Sequence, residues 1–367
     1  MTQPKTGPAR IILRGIILPV MAGGLLLFYH NLEISPQVDQ IFTLQLSKWI
    51  LSGISSLTSQ VPFSVAEILA LLLGLYALSR LFNLVIAVVQ GNEILRAFFR
   101  ITDLGAVLII CFLLFWGFNY RQIGLEQSVG LSPLNIPTKE LELMAQDLVL
   151  QAKTERIQAG LDDKTLFRLT GDLGKEAEIT YASMSVDYPQ FKNPVGRAKP
   201  MLSSKLFSYM GISGIFSPFT AEANYNNDQE DLLKGSSVLH ELAHLKGVAR
   251  EEEANFIAYL ASRYSQEPAF RYSGTMLALI NTTNRLSKVD RTAFNRVNAL
   301  YNEGMRLDLT AHNKYWKDLE GELRQKAEAV NDQYLKSNGQ SGGIETYEDM
   351  VSYLYALKEK TGSVNLN

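Results

Sequence analysis

Two histidines four residues apart, His240 and His244, bracket a glutamate, Glu241, in the stretch VLHELAHLKGVAREEEANF, Val238 to Phe256. On a helix the two imidazoles fall on one face and Glu241 lies one step round from His240. Val238, Leu242 and Leu245, with Leu239 and Ala243, make the opposite face apolar and able to pack inward. A zinc ion used in catalysis takes three protein ligands and keeps one position for water, whose pKa it lowers to about 7. The histidine pair supplies two ligands, and the carboxylate beside them is placed to act as general base. The third ligand must come from elsewhere. Gly247 suits the left-handed conformation that closes a helix, and REEEANFIAYLA starts a second one. On that helix Glu251 and Asn255 are one turn apart on one face, so Glu251 can ligate while Asn255 holds an imidazole from behind. The competing readings are ordinary ones: a solvated helix face for the histidines, and for the triple glutamate the preference of any first helical turn for acidic residues. With only four histidines in the chain, a chance HExxH has a probability of roughly three in a thousand. That favours the metal site for the histidines, while at least one of the three glutamates is expected to be a plain helix-start residue.

A chain of 367 residues must build more than one structural unit around such a motif. It is 47% hydrophobic and 20% charged, but long apolar runs fill the first third and nearly all the charge follows. With 35 basic and 37 acidic residues there is no basic field to attract nucleic acid, which is excluded as a partner. The single cysteine, Cys111, lies in an apolar run and excludes both an intrachain disulfide framework and a Cys-based zinc cluster.

Three apolar segments approach the roughly 20 residues needed to cross a bilayer: about 11–29, 63–87 and 101–120. The first follows the basic residues Lys5, Arg10 and Arg14, as a signal peptide would, but no small-x-small cleavage site follows it, so it reads as a retained anchor. The third ends in Phe115, Trp116, Phe118 and Tyr120, a cluster suited to a membrane interface. Lys5, Arg10, Arg14, Arg96 and Arg100 flank one end of the spans, whereas the connection from His30 to Pro62 carries only Lys48. The N-terminus is therefore expected in the cytoplasm and everything after Tyr120 outside it, with Arg121 a mild counter-signal. In that connection, residues 37–51 set Val38, Ile41, Phe42, Leu46, Trp49 and Ile50 on one helical stripe, expected to lie on the membrane surface or to pack on the rest of the chain.

Residues 1–122 thus form a membrane domain, with the bilayer as a partner, and 123–367 an extracytoplasmic one. Helical periodicity runs through KELELMAQDLVLQAKTERIQ, with Thr138 as its N-cap, and through TLFRLTGDLGKEAEITYASM. GISGIFSPFTAEANYN, Gly211 to Asn226, is punctuated by Gly and Pro and reads as extended, with Pro218 allowed only in an edge strand or bulge. Further helices and one loop, SNGQSGGIE, complete the chain.

HELAH followed by E-x-x-x-N resembles the gluzincin metallopeptidases. The resemblance implies His240, His244 and Glu251 as zinc ligands, Glu241 as general base and Asn255 as the brace of a ligand histidine. Only six residues separate His244 from Glu251, a shorter spacing than most gluzincins have. Gly247 also fits the metzincin pattern HExxHxxGxxH, but Arg250 stands where its third ligand would be, leaving Glu251 first and Glu253 second as candidates. Over nearly the whole chain, WGFNYR, GISGIFSPFTAEANYN, HELAHLKGVAREEEANFIAYLA, RYSG and YLKSNGQ resemble an uncharacterised bacterial membrane-protein family, domain of unknown function 3810.

The expected architecture is mostly α, with three N-terminal transmembrane helices and a helix-rich, zincin-like α+β domain carrying a small edge-strand element. The expected activity is zinc-dependent hydrolysis of peptide bonds in a peptide or protein of the cell envelope. The alternatives are a non-catalytic envelope protein stapled by a metal or a His/Glu cluster, and a zinc amidase acting on a cell-wall component. SPFTAEANYN would align the substrate backbone, with Glu222 and Asn224 facing the cleft; a structural hairpin is the competing reading. Tyr272, Tyr225 and Arg271 are candidate donors to a developing oxyanion. His312 reads as a surface histidine and His30 as an interfacial one.

Overall fold

The computed structural model describes residues 8–364; Lys5, counted above for orientation, lies outside them. The first third is built of long apolar helices: α1 (Pro8–Asn31), then after a short connection α4 (Val65–Gln90) and α5 (Ile94–Phe115). Ser64 starts α4 by accepting from the Glu67 amide, and Gly91, at φ 66°, closes it. All three helices are long and apolar enough to cross a membrane, over Ile12–Asn31, Val65–Gln90 and Ile94–Phe115.

The third of these ends earlier than its sequence suggests. The chain leaves the helix at Trp116 and makes a 3-10 turn over Gly117–Arg121. Trp116, Phe118 and Tyr120 are buried in protein rather than laid out at an interface. Phe118 stacks on Phe42 at 4.3 Å and meets Tyr29 edge-on, while Trp116 packs on Phe216 at 4.7 Å. Interfacial placement is corrected here because each ring finds an aromatic partner elsewhere in the fold.

The connection between α1 and α4 consists of α2 (Pro36–Val38), a π-helical stretch Asp39–Ser47 and α3 (Lys48–Thr58). Its buried residues recur every four positions: Asp39, Thr43, Ser47, Leu51 and Ser55. This small and polar row faces the protein, where the Ser47 hydroxyl donates to the Phe115 carbonyl at 2.7 Å and Lys48 to the Gln190 carbonyl at 2.8 Å. Ile41 and Trp49, from the expected apolar stripe, are exposed, Trp49 to 75%. The element is packed on the chain through this row and through Phe42, and turns Ile41 and Trp49 out.

The remaining two thirds are helical with one small sheet. They begin with α6 (Leu125–Val129), α7 (Thr138–Gln158) and α8 (Leu173–Met184). Thr138 is the first helical residue of α7 rather than its cap, following Pro137. TLFRLTGD, read as helical, is irregular, because Gly171 sits at φ 88° and Asp172 caps α8 by accepting from the Lys175 amide. Then come β1 (Lys199–Pro200), α9 (Ser204–Tyr209), β2 (Gly214–Ser217) and β3 (Glu222–Tyr225). β3 is central, parallel to β1 and antiparallel to β2, with Gly214 opposite Tyr225 and Ser217 opposite Glu222. Pro218 opens the hairpin turn, so the edge strand is GIFS, and EANY, placed at the edge by sequence, is the covered middle of the sheet.

Two central helices follow, α10 (Lys234–Leu245) and α11 (Glu251–Ser262), joined at Gly247, whose φ of 99° makes the turn. Around them lie α12 (Pro268–Val289), α13 (Arg291–Ala299), α14 (Glu303–Asp318), α15 (Glu322–Ser337), a 3-10 segment Gly343–Asp349 and α16 (Met350–Thr361). Leu239, Leu242 and Ala243 of α10 and Phe256, Ile257 and Tyr259 of α11 are wholly buried in one core with Met276, Leu279 and Leu354. Each large apolar side chain so buried stabilises the fold by about 1.5–3 kcal/mol. The metal motif is therefore carried on the most deeply packed helices of the molecule.

Candidate metal centre

α10 and α11 pack against each other so that His240, His244 and Glu251 meet, all buried, with one ligand atom from each lying within 4.8 Å of the others. His240 Nε2 is 3.0 Å from His244 Nε2 and 3.1 Å from a Glu251 oxygen, and His244 Nε2 is 3.5 Å from that same oxygen. Tetrahedral zinc with bonds near 2.0–2.1 Å sets its ligands about 3.3 Å apart, which these separations bracket. Among the described residues no other group of three such side chains converges.

The proton positions around the cluster follow from its neighbours. His244 Nδ1 is 2.7 Å from the Val248 carbonyl, which can only accept, so Nδ1 carries the hydrogen. Asn255 Nδ2 donates to the Tyr347 carbonyl at 3.1 Å, which turns its Oδ1 toward His240 Nδ1 at 2.8 Å. That nitrogen also carries its hydrogen. In the neutral rings both Nε2 atoms are then lone pairs facing each other and a carboxylate, an arrangement that requires positive charge at its centre. Burial lowers the pKa of His244, but the Glu251 charge and hydrogen bond outweigh it and raise the value to about 9. Burial would raise Glu251, yet the charges and hydrogen bonds of the two imidazoles hold it well below the carboxylate range.

Glu241 stands apart from this pairing. Its carboxylate has no hydrogen-bond donor among the described residues and lies against the edge strand, where a Cβ on Gly214 would come within 2.5 Å of Oε1. Burial pushes it up to about 7, against the pull of the two imidazoles. A carboxyl group half-ionised near neutrality and beside a cluster fit for a metal can both take and give a proton.

The other two glutamates of the triple have different partners. Glu253, the second candidate ligand, is wholly buried but turned to Arg250 at 3.0 Å and the Tyr353 hydroxyl at 3.1 Å. Glu252 accepts from Gln340 at 2.8 Å. Aromatic rings wall the imidazoles: Tyr347 lies parallel to His240 at 6.3 Å, and Trp116 meets His244 edge-on at 5.8 Å. Phe216 of β2 lies 6.3 Å from His244. Burial and the Glu251 charge push the Tyr347 hydroxyl well above its ordinary value, so it stays a donor.

Several expected site residues are elsewhere. Glu222 does not face a cleft; it is buried, paired with Lys199, and accepts from the Val65 and Ala66 amides at 3.2 and 2.7 Å, capping α4. Asn224 is buried in the central strand and donates to the Glu222 carbonyl at 3.1 Å. Tyr225 is buried in the same strand. Tyr272 donates to Asp308 at 2.8 Å, the partner of buried Arg156, and Arg271 is spent on the Ser265 and Gln266 carbonyls and on Gln158. His312 is half-buried, 3.6 Å from Glu230, rather than a surface residue, and His30 is exposed beside Tyr29. Sequence reasoning missed Tyr347 and Trp116. Neither carries a local motif; Trp116 read as a span terminus, and Tyr347 sits in what read as the start of a last helix.

No curated protein and no solved structure matches the chain. A family model does, over residues 42–355, which takes in most of the connection after α1, the second and third apolar helices and the whole candidate metal-centre region. The chain belongs to the family described as protein of unknown function (DUF3810).

Proposed function

We propose that the protein is a membrane-anchored, zinc-dependent metallopeptidase in which His240, His244 and Glu251 hold the ion, Asn255 braces His240 and Glu241 is the general base. One observation carries the reading: three lone-pair donors converge with both Nδ1 protons already committed to Asn255 and Val248. Bound zinc supplies a Lewis acid for a peptide carbonyl and makes water acidic enough to ionise near neutral pH. The chain's own residues do the rest. Glu241, buried beside the cluster, takes a proton from the attacking water and passes it to the leaving amine nitrogen. β2, the edge strand beside Glu241, holds the substrate backbone as an added strand in a zincin-like arrangement. Tyr347, kept protonated, donates to the developing oxyanion.

A purely structural staple is disfavoured because it needs a fourth protein ligand, and Glu253 is committed to Arg250 and Tyr353. α1, α4 and α5 serve as membrane spans. Arg96 and Arg100, beside the turn that joins α4 to α5, set that end in the cytoplasm and the metal centre outside it.

The test is a pair of variants of the full chain, assayed for metal content and for hydrolysis of a denatured protein substrate. Glu241→Gln keeps stoichiometric zinc and loses about 10²- to 10⁴-fold in turnover, whereas His244→Ala loses the zinc. Wild-type turnover in the first variant, or unchanged zinc in the second, refutes the reading.

A further inference from the structure

We propose that the substrate is itself a membrane-anchored polypeptide, cut within a few residues of the bilayer surface; this rests on the peptidase reading and on α1, α4 and α5 crossing a membrane. One apolar helix ends at the candidate metal centre and a second at the sheet beside it. α5 stops at Phe115, and the next residue, Trp116, touches both the His244 ring and Phe216 of the edge strand. The head of α4 is clamped to the sheet, with the Val65 and Ala66 amides on Glu222 of β3. Glu67 in its first turn takes the Leu202 and Ser203 amides at 2.8 and 2.9 Å.

These contacts fix where a bound chain must lie. β2 pairs with β3 so that Ser217 stands opposite Glu222, at the α4 end, while Gly214 rests on Glu241. Three residue steps of strand separate the two, about 10 Å at 3.3 Å per step. A polypeptide added along β2 therefore places its reacting carbonyl about three extended residues from the head of a span, and its backbone runs toward that head. Both ends of this path carry exposed apolar side chains: Leu202, whose amide is held by Glu67 in the first turn of α4, is 76% exposed, Phe63 just before that helix is exposed, and so is Ile215 of β2 itself. Such residues beside an active site are a liability in water and an asset against headgroups.

A folded, freely diffusing protein reaches this path only by pressing a loop between the enzyme and the lipid. A chain tethered by its own span or by a lipid delivers an extended juxtamembrane segment along it without a loop, and loses little further entropy on binding. The step is hydrolysis: the amide C–N bond breaks, the water oxygen bonds to the acyl carbon, and a proton goes to the amine.

The experiment reconstitutes the zinc-loaded full chain in lipid vesicles with a randomised reporter peptide in three formats, each read by mass spectrometry. One peptide is free, one is joined to a single apolar span by a spacer of about five residues, and one by a flexible spacer of about thirty. Both tethered formats share the surface concentration, so their comparison isolates distance from the bilayer. The short-spacer format is expected to be cut at least about tenfold faster than the long one, with its cleavage sites grouped near the membrane end. Equal rates for the two spacers, or sites spread evenly along the reporter, overturn the substrate class and leave the peptidase reading intact. No cleavage of any format by protein that carries stoichiometric zinc overturns both.

Discussion

Asn255 uses both ends of one amide: its oxygen fixes the tautomer of His240 and its nitrogen ties α11 to the Tyr347 carbonyl. Asn255→Ala frees the imidazole to rotate, and the affinity for zinc should fall about 10- to 100-fold in a competition titration against a chromogenic chelator. Gly214 is constrained in a different way. Its φ is not in the left-handed region; what it lacks is room, because a Cβ would press on the Glu241 carboxylate at 2.5 Å. Gly214→Val should therefore lower kcat by displacing the base while zinc content, measured on the same sample, stays stoichiometric. A variant that loses zinc and activity together would show that the strand supports the ligands rather than Glu241.

At the level of elements, Glu222 links the sheet to the first turn of α4. Glu222→Ala leaves the Lys199 ammonium buried without a counter-charge and two helix N–H groups uncapped. Loss of one partner of a buried pair costs about 3–5 kcal/mol, so thermal unfolding of the detergent-solubilised chain should shift down clearly. α10 and α11 were legible in the sequence because their signals are local: a ligand spacing of four, an apolar opposite face and a glycine where the turn must be. The apolar helices were legible from length and composition for the same reason. What stayed hidden depends on partners far along the chain. The ally of Glu222 is 157 residues away, and nothing near it in sequence distinguishes a helix cap from a residue facing a cleft. In residues 37–51 the apolar stripe was the legible signal, yet tertiary packing takes Asp39, Thr43 and Ser47 against the protein and leaves Trp49 outside. In TLFRLTGD the period was helical, but Gly171 and the Asp172 cap overrode it.

For the whole molecule, the metal centre joins the two most buried helices, so zinc should stabilise the native chain by mass action. A free concentration one hundred times Kd contributes about 2.7 kcal/mol. Chelation should lower Tm, and zinc added back should restore it; a melting curve indifferent to both would argue against the ion. The placement of the donors has one more consequence. His240, His244, Glu251 and Asn255 all lie in a single short stretch closed by Gly247, so bringing them together needs only a small loop and little closure entropy. The wall around the cluster is drawn from Trp116, Gly214, Phe216 and Tyr347, which only the completed fold assembles. On the proposed reading, a partly unfolded molecule should keep its grip on metal after losing the ability to cut, and metal stoichiometry should overstate the fraction of a preparation that is native.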